Sequence, residues 1–266
     1  MCTSQRRRFA LGEKNIDVWL AFYNEIVDED RLAALRLILS EAEREQQKRF
    51  YFADDRQRYL VTRAMVRTVL SLYAAPAPAD WTFSTNAYGR PEIANRDDEA
   101  RELRFNLSHT RGLIALGICR RRALGVDVEN VVARRVSMGI ADRFFSPSEA
   151  AELARVAHER QQDRFFEYWT FKESYIKAHG KGLSIPLDQF SFHYPHERAV
   201  RLSVDPGLGD DASRWDFWQF RPTPEYLLAI CAERLGGEAP AVTMRRMTPA
   251  FEGQVVDLAL LKTSRS

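Results

Sequence analysis

Apolar and polar positions alternate between two kinds of pattern along the chain. Leu113-Ile-Ala-Leu-Gly-Ile-Cys119 and Tyr226-Leu-Leu-Ala-Ile-Cys231 are short and continuously apolar, the pattern of buried strands. Asp17 to Tyr23 and Leu124 to Glu129 predict further strands, and Asp80-Trp-Thr-Phe-Ser84 and Asp188-Gln-Phe-Ser-Phe192 two short strands led by aspartate. Helical spacing of apolar residues predicts helices over about 40–52, 54–74, 147–160 and 163–179. Two of these open on capping boxes, Ser40-Glu-Ala-Glu43 and Ser146-Pro-Ser-Glu149, the second with proline at its first helical position. Pro76 and Pro78 terminate the second helix, and Gly180 and Gly182 the fourth.

The two boxes stand at an offset of 106 residues (146 − 40). Arg58-Tyr-Leu-Val-Thr-Arg63 and Arg164-Phe-Phe-Glu-Tyr-Trp169 share that offset (164 − 58). Two anchors at one offset, followed by the same order of elements, predict a duplicated α+β chain. The halves are residues 1–122 and 123–235, followed by a C-terminal extension, 236–266, that starts at Gly236-Gly237 and holds a short strand or helix near Val255–Leu261. Arg120-Arg121-Arg122 joins the halves as a polar turn. Pockets form where such halves meet, so the site is expected at their interface.

Composition narrows the function classes. Among 266 residues, 45% hydrophobic and 29% charged content with a net charge of +2 describes a globular chain without a nucleic-acid signature. The run Arg6-Arg7-Arg8 reads as a solvated segment. Cys2, Cys119 and Cys231 are scattered without a C-x-x-C, which gives neither a disulfide framework nor a zinc site and favours a reducing, cytoplasmic setting. No signal peptide and no apolar span of membrane length is expected, so membrane association is excluded. P-loop, Rossmann, zincin and serine-hydrolase motifs do not occur.

Two elements carry candidate chemistry. In Gly125-Val-Asp127-Val-Glu129, strand alternation turns Val126 and Val128 to one face and both carboxylates to the other. Paired acids at that spacing suit a hard divalent cation, Mg²⁺ or Mn²⁺, although two solvated acids on a half-exposed strand have the same spacing. On the fourth helix, Trp169, Glu173 and Lys177 stack at i, i+4, i+8. Glu173–Lys177 is also an ordinary helix-surface pair. Lys172, Lys177 and Lys181 with Gly180 and Gly182 favour a phosphate site. Ser108 and His109 in Phe105-Asn-Leu-Ser-His109 are candidate phosphate contacts at a turn. Arg90, in Tyr88-Gly-Arg-Pro91, is a candidate nucleotide contact, and Arg63 a phosphate ligand or a snorkelling helix arginine.

These segments, with Phe144-Phe-Ser146, Lys48-Arg-Phe-Tyr51 and Trp169-x-x-Lys172-Glu173-x-x-x-Lys177-x-x-Gly180-x-Gly182-Leu183, resemble the 4′-phosphopantetheinyl transferases of the surfactin-synthetase-activating (Sfp-type) branch. The likeness covers residues 38 to 232. It implies a pseudo-twofold α+β monomer that holds coenzyme A and Mg²⁺ in the cleft between halves. It also implies transfer of the phosphopantetheine arm to a serine of an apo acyl or peptidyl carrier protein, in fatty-acid, polyketide or nonribosomal-peptide synthesis, with release of 3′,5′-ADP. By position, Asp127, Glu129 and Glu173 would hold the metal. Glu173 or a metal-bound water would take the serine proton, and Lys177 would sit on the phosphates. Lys172, Ser108, His109, Arg90 and Arg63 would contact coenzyme A. The chain departs from the family just before Arg49-Phe-Tyr51. There, lysines for the 3′-phosphate are replaced by Glu43 and Gln46, with Arg44 or Lys48 as the expected substitute. The competing classes are another Mg²⁺-dependent nucleotide enzyme and a non-catalytic carrier-protein or nucleotide-binding module.

Overall fold

The computed structural model describes residues 9–133, 135–136, 138–236, 240–247 and 252–265; Cys2, Arg6-Arg7-Arg8 and Gly237 lie outside them. The first half runs through β1 (Asn15–Ala21), α1 (Glu29–Ile38), α2 (Glu41–Lys48), α3 (Ala53–Leu70), β2 (Phe83–Thr85), β3 (Pro91–Ile93), α4 (Asp98–Glu102), β4 (Leu103–Thr110) and β5 (Leu113–Arg120). The second comprises β6 (Leu124–Asn130), α5 (Ala141–Phe144), α6 (Pro147–Arg155), α7 (His158–His179), β7 (Phe190–His193), β8 (Arg201–Val204), β9 (Trp215–Phe220) and β10 (Tyr226–Glu233). Three strands follow, β11 (Ala241–Met247), β12 (Gly253–Val255) and β13 (Leu260–Thr263).

The fold is α+β, as expected. Both capping boxes form, Ser40 with Glu43 and Ser146 with Glu149. The α6–α7 break falls at Val156-Ala157, earlier than the pattern predicts, and α3 stops at Leu70, where Leu72 and Tyr73 bond back to Val69 and Leu70 carbonyls. The two aspartate-led strands start only at Phe83 and Phe190, because the aspartates lie in single helical turns. Helix α1 has no counterpart in the prediction. Only Leu32 and Leu35 are buried on it, too few for a clear periodic signal, although Asp28 caps it.

Two sheets organise the molecule, in strand orders β12-β11-β1-β5-β4 and β13-β9-β10-β6. In each half the leading strand pairs with the last, and the last with the one before it. The C-terminal residues contribute to both sheets: β11 lies parallel to β1, and β13 antiparallel to β9. Helix α3 covers one sheet through a core with Leu60, Met65 and Trp19, and α7 covers the other through Phe166, Phe171 and Phe217. Between the sheets, Ile16, Val18, Leu116's neighbours Ala115 and Leu113, and Val126, Val128 and Ile230 form a third core. No helix among the described residues is long and apolar enough to cross a membrane. Cys119 and Cys231 are free and buried.

The sheets meet at a side-chain ladder. Asn106 Oδ1, Ser108 Oγ and Thr110 Oγ1 of β4 accept the backbone N–H groups of Val126, Val128 and Asn130 at 2.8, 3.2 and 3.2 Å. Alternate residues of β4 thereby satisfy the amides along the free edge of β6, which would otherwise be buried without partners. This ladder fixes β6, and with it Asp127, against the first half.

Candidate active site

Strand alternation on β6 is as the spacing predicts. Val126 and Val128 enter the inter-sheet core, while Gly125, Asp127 and Glu129 face α7. Gly125 makes the approach possible: a Cβ there would lie 1.8 Å from the Ser174 carbonyl oxygen and 2.5 Å from the Ala178 nitrogen. Helix α7 turns the Trp169, Glu173 and Lys177 face toward β6. The Trp169 indole donates to Glu129 Oε1 at 3.1 Å, and Lys177 Nζ donates to Asp127 Oδ1 at 2.7 Å and Ser108 Oγ at 2.9 Å.

Asp127 is 4% exposed. Its Oδ1 accepts from Lys177 and, at 3.0 Å, from Ser108, whereas its buried Oδ2 has no hydrogen-bond partner. Burial first, and then the Asp127 charge, raise the pKa of Glu173, with Lys177 opposing. A proton acceptor stronger than an ordinary carboxylate therefore stands beside an ammonium and a second carboxylate.

The first half closes the other wall. In the β2–β3 turn, Asn86 Nδ2 donates to the Gly180 carbonyl at 2.9 Å, and Arg90 donates to the carbonyls of Lys177 and Ala178 at 3.2 and 3.3 Å. These bonds satisfy the last turn of α7, which ends at Gly180 in the left-handed conformation (φ 69°). A cavity of about 340 Å³ lies between, lined by Tyr88, Arg90, Asn106, Glu173, Lys177 and Gly180. His109, next along β4 from Ser108, is exposed and outside the cavity lining, and its pKa is lowered by partial desolvation and then by the Arg58 and Lys177 charges.

Three expected phosphate contacts need correction. Lys172 is fully buried on another face of α7, paired with Glu149 at 2.8 Å and donating to the Leu187 and Phe190 carbonyls at 2.7 Å. Its ammonium holds the second capping box to β7. Arg63 donates to Glu43 Oε1 at 2.6 Å and lies over the Phe83 ring, so it braces the first box. Ser108 donates its one proton to Asp127 and accepts from Lys177 and Val128, which leaves no bonding capacity for a ligand in this arrangement. Arg44 donates to the Leu39 carbonyl, and Lys48 pairs with Glu45. Among the described residues, no three His, Cys, Asp or Glu side chains are gathered closely enough to hold a metal ion. The structure brings Asp127, Ser108, Glu173, Lys177 and Arg90 together at the cleft. Sequence reasoning missed the bracing roles of Asn106 and Thr110. The signal was present as hydrogen-bonding residues at alternate positions 106, 108 and 110 of the strand.

Comparison with known proteins places this arrangement. Residues 123–231 match the family model of the 4′-phosphopantetheinyl transferase superfamily, and residues 27–119 that of the 4′-phosphopantetheinyl transferase N-terminal region. The chain is 37% identical over 205 residues to the 4′-phosphopantetheinyl transferase ffp of Bacillus subtilis, covering 77% of this chain and 85% of the relative. It is 34% identical over 194 residues to Sfp of Bacillus subtilis strain 168, covering 73% and 82%. HetI of Nostoc sp. is 29% identical over 208 residues, covering 78% and 84%. With both halves matched and most of each relative covered, the chain belongs to the 4′-phosphopantetheinyl transferases.

Proposed function

We propose that the cleft binds coenzyme A and that the enzyme moves its 4′-phosphopantetheine arm to a serine of an apo acyl or peptidyl carrier protein. The serine oxygen attacks the β-phosphorus, a new P–O bond forms, and the bond to the bridging oxygen breaks to release 3′,5′-ADP. Glu173, whose burial favours proton uptake, accepts the serine proton. Lys177 stands where charge builds on the departing phosphate and stabilises it electrostatically. Arg90 at the turn flanks the ligand, His109 lies within reach of the Lys177 charge, and Ser108 bonds both Asp127 and Lys177. Both walls come from one chain, which suits action as a monomer.

The chemistry of the donor set, though among the described residues not gathered as a three-carboxylate cluster, suits a divalent cation. Asp127 presents a buried oxygen without a partner, and the Glu173 carboxyl feels the Asp127 charge. When bound there by Asp127, Glu129 and Glu173, Mg²⁺ would neutralise the pyrophosphate and act as a Lewis acid. Lys177 Nζ lies 2.7 Å from Asp127 Oδ1 and adds a positive charge to the same carboxylate.

The observation that carries this reading is the Asp127 carboxylate, with one buried oxygen unpartnered, the other held by Lys177, and its charge felt by Glu173. Intact mass spectrometry of an apo carrier protein incubated with the enzyme, coenzyme A and Mg²⁺ tests it. The expected result is a gain equal to one phosphopantetheine arm. Unchanged mass across fatty-acid, polyketide and peptidyl carriers, with coenzyme A bound, would favour a non-catalytic binding module.

A further inference from the structure

Behind the β2–β3 hairpin lies a second cavity, of about 460 Å³, which shares only Arg90 and Pro91 with the reaction cleft. Arg90, Arg101, Arg104, Arg121 and Arg122 line it, with Glu92 as the one carboxylate in its wall. Arg121 is neutralised by Glu102 and Glu13. Among the described residues, Arg90, Arg101, Arg104 and Arg122 form no ion pair.

Three of these guanidinium groups are anchored through part of their donor set on backbone carbonyls. Arg104 donates to Arg101 and Leu103, Arg122 to Glu13 and Glu233, and Arg90 to Lys177 and Ala178. Donors are left over. Arg122 is 1% exposed, and its Nε has no partner, nor has the buried Nε of Arg90. A buried, always-charged guanidinium without a direct ion pair is costly to keep. Burial depresses the pKa of both, and the more distant charges of Glu92 at Arg90 and of Asp216 and Glu233 at Arg122 oppose it only in part. A tetrahedral polyanion would supply acceptors for these donors and cancel the charge, since the guanidinium fork matches phosphate oxygens in pairs. The concave shape and size suit a small molecule rather than a polymer.

We propose that this arginine cavity is a second anion site, built on Arg101, Arg104 and Arg122, which binds a small phosphate-bearing molecule outside the reaction cleft, with Arg90 in the wall between the two. Isothermal titration of the full chain with inorganic pyrophosphate, at fixed ionic strength, tests it on three proteins. These are the wild type, the pair Arg101→Gln with Arg104→Gln, and the cleft pair His109→Gln with Lys177→Gln. Both Arg101 and Arg104 are exposed, so their exchange is expected to leave the fold intact, as checked by thermal melting. The arginine pair should weaken one binding event by about tenfold or more, while the cleft pair leaves that event unchanged. Wild-type affinity in the arginine pair, or absence of a pyrophosphate event that survives the cleft exchange, would overturn the proposal.

Discussion

Gly125→Ala is the most direct test of how α7 is held to β6. The added carbon would lie 1.8 Å from the Ser174 oxygen and 2.5 Å from the Ala178 nitrogen, both backbone atoms of α7. The first contact is roughly 1.5 Å short of van der Waals separation. No rotamer can relieve it, so the helix must move away from the strand. Overpacking of a tight core costs about 1–3 kcal/mol, and this backbone clash belongs at the upper end of that range. The displaced helix carries Glu173 and Lys177, whose positions relative to Asp127 define the cleft. A misplacement of about 1 Å is enough for a loss of roughly a hundredfold in rate. Urea unfolding gives the stability change, and carrier-protein mass shift under single-turnover conditions gives the rate. The reasoning requires both to fall, with the rate loss persisting where the variant is fully folded. Unchanged midpoint and unchanged rate would refute the close approach of strand and helix.

Other substitutions separate bracing from chemistry. Asp127→Asn should abolish transfer while circular dichroism remains that of the wild type; normal turnover would remove Asp127 from the site. Mg²⁺ at about a hundred times its dissociation constant should add roughly 2.7 kcal/mol to the unfolding free energy of the wild type, and no such gain should occur with Asp127→Asn. Lys172→Met leaves Glu149 buried without its cation and should cost about 3–5 kcal/mol in urea unfolding, with unaltered activity per folded molecule; loss of activity in fully folded protein would restore Lys172 to the cleft. At Glu43, burial raises the carboxyl pKa, but Arg67, Arg63 and the Ser40 amide outweigh it and hold the group below the ordinary 4.5. A depressed carboxylate stabilises the fold above its unfolded pKa and loses that contribution as pH falls through the folded value. Urea midpoints should therefore fall as pH drops below the ordinary 4.5, and Glu43→Gln should flatten that limb.

Local rules were legible in the sequence, and long-range ones were not. The capping boxes, the alternation on β6 and the facing stripe of α7 each depend on residues a few positions apart. The parallel pairing of β11 with β1 joins Asn15 to Ala241, and no local pattern encodes such a distance. The misplacement of Lys172 is different, because the sequence did contain the answer. Five residues from Lys177, it lies roughly 140° around the helix at 100° per residue, so it cannot share the face of Glu173 and Lys177. Counting it as a third phosphate cation followed charge density instead of helical period. For Arg63 the period was no help, since its partner Glu43 comes from another helix.

The helices that follow the two capping boxes hold their box glutamates from different faces. At the offset that relates the capping boxes, Glu173 and Lys177 of α7 correspond to Arg67 and Ser71, at and just beyond the end of α3. Arg67 is 3% exposed and donates to Glu43 at 2.9 Å and to the Trp81 carbonyl at 2.8 Å. Ser71 accepts the Trp81 indole N–H at 2.8 Å and donates to the Arg67 carbonyl. In the first half, therefore, the helix bonds its own capping-box glutamate through Arg63 and Arg67. In the second, Lys172 performs that bond from a different face, and Glu173 and Lys177 remain at the cleft. Helix α3 thus carries its box-holding cations at Arg63 and Arg67, and α7 carries its own at Lys172, on a different face from Glu173 and Lys177.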